Sequence, residues 1–325
     1  MTDRKFWRER RVLVTGATGI VGSCLVRELL DNGANVAVLV RDADPQSELL
    51  RSGDINRCTV FNGQMEDLWT LERAISLHEA AYVFHLAAQT IVGVAHRNPF
   101  TTFETNVRGT YNLLEACRMH GSLVEGVIVA SSDKAYGEVE SLPYLETMPL
   151  NGKHPYEVSK SCTDLIAASY CHSYNVPVTI ARCGNIYGGG DLNWSRIVPG
   201  TVRSLLRGER PVLRSDGTFR RDYIYVKDVA LAYMLLGEKS SDPAVRGEAF
   251  NFSDEKPLSV LDMVTAIGRE MGSNLEPDVR NIAQGEIRDQ FLNAAKARNT
   301  LGWRASYDLK AGLRETVAWY RALLA

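Results

Sequence analysis

The sequence predicts an α/β fold: a doubly wound parallel sheet followed by a smaller mixed C-terminal part. Three observations predict it. Short β-branched runs alternate with helical patterns through the first half of the chain. Those runs are apolar almost without interruption, as strands covered by helices on both faces must be. A glycine-rich turn joins the first run to the first helical pattern.

The elements follow in order. Arg11–Thr15 (RVLVT) is the first strand, and residues 20–30 carry the apolar spacing of a helix. Asn35–Val40 is the second strand, set off by Gly33 before it and by Asp42 and Pro45 after it. Residues 58–61, 81–86 and 126–130 are further buried strands. Helices are predicted over 68–78, 103–119 and 156–174. A sixth strand is expected at 176–181. Beyond it, Gly188, Gly189, Gly190, Pro199, Gly208, Pro211 and Gly217 break the chain into shorter, arginine-rich elements. These read as a looser part completing a cleft above the sheet. Residues 250–252 return to the main sheet, and 309–323 form a closing amphipathic helix. The division is 1–182 for the sheet domain, with returns near 223–252, and 183–325 mainly for the second part.

With 325 residues, 45% hydrophobic and 23% charged, the chain is an ordinary globular protein of one large or two unequal domains. A formal net charge of -2 gives no general attraction to nucleic acid or to an anionic membrane, so neither is expected as a partner. The charged N-terminus lacks the apolar stretch of a signal peptide, and no apolar run approaches the roughly 18–20 residues that span a bilayer. Cys24, Cys58, Cys117, Cys162, Cys171 and Cys183 form no C-x-x-C pair and read as small buried residues of a reduced compartment. The six histidines form no ligand set, so no metal is expected. A cytoplasmic location is the expectation.

Thr15-Gly16-Ala17-Thr18-Gly19-Ile20-Val21-Gly22 spaces its glycines G-x-x-G-x-x-G between a strand and a helix. Glycine lets the backbone approach a pyrophosphate, and the helix start offers unpaired N–H groups with a favourable dipole. Gly16, Thr18, Gly19, Ile20, Val21 and Gly22 are therefore assigned to a dinucleotide. At the end of the second strand, Val40 is followed by Arg41 and Asp42. Arg41 suits the 2′-phosphate of NADP and Asp42 the 2′-hydroxyl of NAD, so the choice between the two stays open.

Tyr156-Glu157-Val158-Ser159-Lys160 puts a tyrosine and a lysine one turn apart on one helix face. An ammonium near a phenol favours the phenolate, drawing a pKa of about 10 towards neutrality for use as a base. A second such spacing, Tyr223 to Lys227, lacks the strand-end serine pair, Ser131-Ser132, that precedes the first, and reads as structural.

Together TGATGIVG, His85-Leu86-Ala87-Ala88, the Ser132/Tyr156/Lys160 set and Asn185 resemble the extended short-chain dehydrogenase/reductase family acting on nucleotide sugars. Arg221-Asp222-Tyr223 and Leu301-Gly302-Trp303 extend the resemblance over nearly the whole chain. It implies a Rossmann-type domain binding NAD(P), with NAD favoured, and a smaller domain binding a nucleotide-diphosphate hexose. Leu86, Ala87 and Ala88 are then expected beside the nicotinamide, and Gln64 and Met65 near the adenine. Gln89, Ser132, Asn185, Arg196 and Arg221 are expected on the substrate. A homodimer formed through the helices at 103–119 and 156–174 is also implied.

Ser131-Ser132-Asp133-Lys134-Ala135-Tyr136-Gly137 is the most informative segment. Small or neutral residues commonly follow the serine in 4-epimerases of this family. An acid and a partner follow it in 4,6-dehydratases, and the Asp133-Lys134 version is similar to CDP-glucose 4,6-dehydratases. Two departures stand against this: residues 219–226 are closer to the general epimerase pattern, and Gln64 replaces the family's usual aspartate. The expected activity is an NDP-hexose 4,6-dehydratase, with Ser132, Asp133, Lys134, Tyr156 and Lys160 catalytic. The alternatives are a 4-epimerase, a nucleotide-sugar decarboxylase and a non-catalytic dinucleotide-binding sensor.

Overall fold

The computed structural model describes residues 5–282 and 287–325. The first four residues of the charged N-terminal segment lie outside that range. Six strands, β1 (Arg11–Thr15), β2 (Asn35–Val40), β3 (Thr59–Asn62), β4 (Tyr82–His85), β5 (Gly126–Ala130) and β6 (Val178–Cys183), are joined by Ala249–Phe252 in one sheet. Its order is Ala249–Phe252, β6, β5, β4, β1, β2, β3, and every pairing is parallel.

Strand residues alternate between two cores, as a period of two demands. Val12, Val14, Val36, Val38, Phe84 and Ile128 face one side. Leu13, Ala37, Leu39, Val83, Val127 and Val129 face the other. Burying each such side chain contributes roughly 1.5–3 kcal/mol, which is why uninterrupted apolar runs specify this sheet. The order reverses between β1 and β4, so the loops leaving their C-terminal ends diverge and open a crevice there.

Helix α1 (Ile20–Asp31) begins at that crevice. It buries Gly22, Leu25, Val26, Leu29 and Leu30, and packs on the helix Val226–Glu238. The helix expected at 103–119 starts earlier, at Pro99, where the Asn98 side chain accepts from Thr101 N at 3.2 Å. A proline at the first helical position is no surprise, since its missing N–H has no partner there in any case. This helix then widens into a π turn over Glu104–Arg108 before continuing as Gly109–Met119. Strand β6 begins two residues later than expected, after Pro177, which has no N–H for a ladder.

The later region forms small sheets. Asn185–Tyr187 pairs with Tyr223–Tyr225, and Arg220–Arg221 lies between Leu258–Ser259 and Asp289–Gln290. The closing helix Leu309–Leu324 is capped by Asp308, whose side chain accepts from Ala311 N at 2.7 Å. All six cysteines are unpaired. No helix among the described residues is long and apolar enough to cross a membrane.

Candidate active site

The glycine turn divides its labour. Gly16 has φ +70°, and a Cβ there would sit 2.6 Å from Ala87 N, in the loop leaving β4. A Cβ on Gly22 would sit 2.1 Å from Gly16 O. Both positions need glycine for packing. A Cβ on Gly19 would meet only Gly16 O, at 3.4 Å, so its outer side is open. Helix α1 starts at this open side with no side-chain cap. Its first N–H groups and dipole therefore suit a pyrophosphate, and the residues fit a dinucleotide. Thr18, Ile20 and Val21 flank the turn half-buried. Gly190, from the triple-glycine loop, comes within reach of Ile20 and Ser23.

At the end of β2, Arg41 Nε donates to Asp42 Oδ2 at 2.6 Å, and both side chains are exposed. Gln64 is exposed beyond β3. Met65 is buried beneath Gly109, and its carbonyl accepts from Asn112 Nδ2 at 3.1 Å.

His85 ends β4 fully enclosed. Thr15 Oγ1 accepts from Leu86 N and Ala87 N, both at 3.2 Å, so its own proton is directed to His85 Nδ1 at 3.1 Å. Thr110 Oγ1 donates to Asn106 O, leaving it to accept from His85 Nε2 at 3.0 Å. The ring is thus neutral with its proton on Nε2. Burial, with the Lys160 charge adding to it, pushes its pKa down to about 3. Ala87 and Ala88 follow half-buried along the crevice floor. Gln89 N donates to Asn106 Oδ1 at 2.7 Å, and Asn106 Nδ2 donates to Ser159 Oγ at 2.9 Å. Asn106 sits in the π turn and ties the Gln89 loop to the helix of Tyr156.

That helix, Pro155–Tyr174, presents Tyr156 and Lys160 towards the end of β5. Ser132 lies beside the Tyr156 phenol and favours its ionised form. Ser132 Oγ donates to Asp133 Oδ1 at 3.0 Å and accepts from Lys134 N at 3.2 Å. Asp133 is only 2% exposed, and its Oδ2 has no hydrogen-bond partner among the described residues. Lys134 Nζ donates to Gln290 Oε1. Ser132, Asp133, Lys134 and Tyr156 are therefore brought together.

The electrostatics differ from expectation at Lys160. Its Nζ donates to Ala130 O at 2.7 Å, and burial lowers its pKa to about 8, with Asp164 opposing. Burial pushes the Tyr156 phenol up to about 12, and the charge drawing it back down is Arg196. The lysine, expected to depress the phenol, places one of its three donors on a carbonyl at the end of β5. Arg196, expected on substrate, also acts on the Tyr156 phenol. Arg196 Nη1 is held by the buried Asp191 at 3.1 Å.

Asn185 N donates to Asp222 O at 2.8 Å, fixing the strand whose half-buried side chain opens the second part. Arg221 is buried and donates to the carbonyls of Arg220, Ile287 and Arg288 at 2.9, 2.7 and 2.6 Å. Burial pushes the Asp222 carboxyl up to about 7, although its Oδ2 accepts from Leu292 N. In the second Y-x-x-x-K, Tyr223 is buried and Lys227 pairs with Glu315 at 2.7 Å, a packing arrangement. Sequence reasoning did not single out Asn106, Asp191 or Gln290. Asn106 and Gln290 meet partners far off in the chain, so no local spacing marks them, whereas Asp191 pairs with Arg196 only five residues on.

The model of the GDP-mannose 4,6 dehydratase family matches residues 13–316. The chain belongs to that family. It is a member of the extended short-chain dehydrogenase/reductases, which comprise nucleotide-sugar epimerases and dehydratases, as its motifs imply. CDP-glucose 4,6-dehydratase of Salmonella typhimurium is 30% identical, over 99% of this chain and 93% of the relative. The UDP-glucose 4-epimerase of Thermotoga maritima, solved with UDP-glucose, superposes with a TM-score of 0.88 at 31% identity, covering 97% and 99% of the two chains. The dTDP-glucose 4,6-dehydratase of Streptomyces venezuelae, solved with NAD and TYD, gives 0.86 at 28% identity, covering 96% and 97%. Family members thus include both dehydratases and epimerases, and the residues after Ser132 bear on which this chain is.

Proposed function

We propose that the protein is an NDP-hexose 4,6-dehydratase using tightly bound NAD, with a CDP-glucose-like substrate favoured. The observation carrying this is Asp133: a buried carboxyl beside Ser132 and Tyr156, with one oxygen accepting from Ser132 and the other without a partner among the described residues. Elimination needs such a group, because hydroxide is a poor leaving group without a proton donor.

The glycine turn and the start of α1 would hold the pyrophosphate, and Ala87 and Ala88 the nicotinamide side. When bound, NAD would supply the hydride acceptor for C4 and, once reduced, the hydride donor for C6, so no net oxidant would be consumed. Tyr156 takes the proton of the sugar 4-hydroxyl, and Ser132 orients that oxygen. The resulting C4 ketone acidifies the C5 hydrogen. Lys134 takes that proton, the C5–C6 double bond forms, and the C6 hydroxyl leaves as water with a proton from Asp133. A proton returned to C5 completes the 4-keto-6-deoxy product. Asn185, Arg196 and Arg221 line the nucleotide-sugar side, with Gln89 at its edge.

The second reading is a 4-epimerase, favoured by the likeness to the Thermotoga enzyme. It requires neither Asp133 nor Lys134. The test is mass spectrometry after incubation with CDP-, UDP-, dTDP- and GDP-hexoses in D₂O. Loss of water with deuterium at C5, abolished in Asp133→Asn and Lys134→Met, supports the dehydratase. An isomer of unchanged mass, made equally by both variants, replaces it with the epimerase.

We also propose a homodimer. Tyr111, Met119, Leu165 and Tyr174, on the helices Gly109–Met119 and Pro155–Tyr174, leave large apolar groups exposed. Pairing these helices across a two-fold axis would cover them. Sedimentation of wild type and Leu165→Glu tests it: a monomeric wild type rejects the dimer.

A further inference from the structure

Lys134 and Gln290 come from distant parts of the chain. Lys134 lies on the turn Asp133–Tyr136 after β5, whereas Gln290 lies on the short strand Asp289–Gln290 in the later region. Gln290 is completely buried and accepts from the half-buried Lys134 amine through Oε1. Its backbone is fixed by Asp222, whose N–H donates to Gln290 O at 3.1 Å, and by register with Arg221. Its Nε2 reaches the Tyr144 hydroxyl at 3.5 Å, and that hydroxyl donates to Gly137 O at 2.6 Å, closing back on the Lys134 turn.

A long, flexible lysine side chain does not hold one direction by itself. An amide acceptor can fix it without supplying charge. A carboxylate at the same place would pair with the ammonium and hold its proton. Among the described residues, the Tyr144 hydroxyl at this pair senses Asp133, Glu157 and Arg221, and Asp222 on the paired strand senses Asp133 and Asp254.

We propose that Gln290 is a positioning residue that aims the Lys134 amine at the substrate through its neutral amide. The proposal rests on the dehydratase reading for its chemistry. It also links the diphosphate side to the elimination chemistry, because Gln290 and Arg221 sit opposite one another on paired strands.

The test compares wild type with Gln290→Glu and the near-isosteric Gln290→Met. Competitive labelling with acetic anhydride across pH, read by mass spectrometry, follows Lys134 without any sugar present. Water loss across pH follows the chemistry, and nicotinamide absorbance in a single turnover follows C4 oxidation. In Gln290→Glu the labelling midpoint of Lys134 moves up by about one pH unit or more, and the elimination profile moves with it. In Gln290→Met elimination falls about 10²-fold, as expected for a misplaced reacting group, while C4 oxidation persists. Water loss by wild type with both variants unchanged in rate and midpoint overturns the inference alone. If wild type removes water from no nucleotide hexose, the dehydratase reading falls. An unmoved labelling midpoint in Gln290→Glu then overturns the Lys134–Gln290 coupling as well, and a raised one upholds it.

Discussion

Arg182 and Asp164 form a two-point ion pair in the interior, with Nε to Oδ2 and Nη2 to Oδ1 both at 2.8 Å. Neither side chain is more than 6% exposed. Asp164 lies one turn beyond Lys160, and Arg182 is on β6. Arg182 Nη1 also donates to the Tyr136 hydroxyl at 2.8 Å, with the guanidinium 4.9 Å from the ring centroid. Tyr136 closes the turn that carries Asp133 and Lys134. One buried cation therefore fixes the helix of Tyr156 relative to the turn of Asp133.

Removing half of such a pair is costly, because the remaining charge stays buried without compensation. Asp164→Ala should lower stability by about 3–5 kcal/mol, read from urea unfolding. A loss below about 1 kcal/mol, the range of exposed pairs, would show that the guanidinium finds another partner.

Gly19 and Gly22 should respond oppositely to a methyl group. Gly22→Ala drives Cβ into the Gly16 carbonyl and should destabilise the ligand-free protein by about 1–3 kcal/mol or more. Gly19→Ala has room in the fold, but its methyl group projects to the open side of the turn. It should leave the ligand-free melting temperature nearly unchanged and weaken NAD binding about tenfold or more. Thermal melts with and without NAD separate the two. Equal NAD affinity in Gly19→Ala and wild type would place the pyrophosphate elsewhere.

Much of this was legible in the sequence, for physical reasons. Apolar runs such as RVLVT and NVAVLV can be satisfied only between two helical layers, and the glycine turn sits where the sheet order reverses. Ser132, Asp133 and Tyr156 converge as their places at a strand end and a helix start imply. What was not legible depends on contacts distant in the chain. Gln290 reaches Lys134 across 156 positions, and no periodicity encodes that. The contact of Lys160 with the Ala130 carbonyl was not legible for the same reason: a one-turn spacing places two side chains on one face but does not set what each meets. The π turn at Glu104–Arg108 was missed because a widened turn preserves the apolar spacing of the helix around it.

His85 makes stability pH-dependent in a defined direction. Its folded-state pKa of about 3 lies below the ordinary 6.5. Above pH 6.5 the ring is neutral in both states and its contribution is complete. As pH falls, the unfolded chain takes up a proton that the folded ring refuses, so stability is lost from about pH 6.5 down to about 3. The full loss is roughly 5 kcal/mol. Urea unfolding of wild type and His85→Gln at several pH values isolates this, since carboxylates titrate alike in both. Parallel curves for the two proteins would mean that the imidazole is protonated in place.

Arg196 provides the last prediction. It is the cation that favours the Tyr156 phenolate against burial. Asp191 holds it in place, and the Asp191 carbonyl accepts from the Tyr320 hydroxyl at 2.6 Å, so the closing helix braces the arrangement. In Arg196→Met the phenol loses that attraction, and the acidic limb of the kcat/KM profile should move to higher pH. Arg196→Lys keeps the charge and should move it less. The Arg196 side chain is 37% exposed, so salt should screen its effect and narrow the gap between wild type and Arg196→Met. An acidic limb that stays put in Arg196→Met at low salt would return the activation of Tyr156 to Lys160.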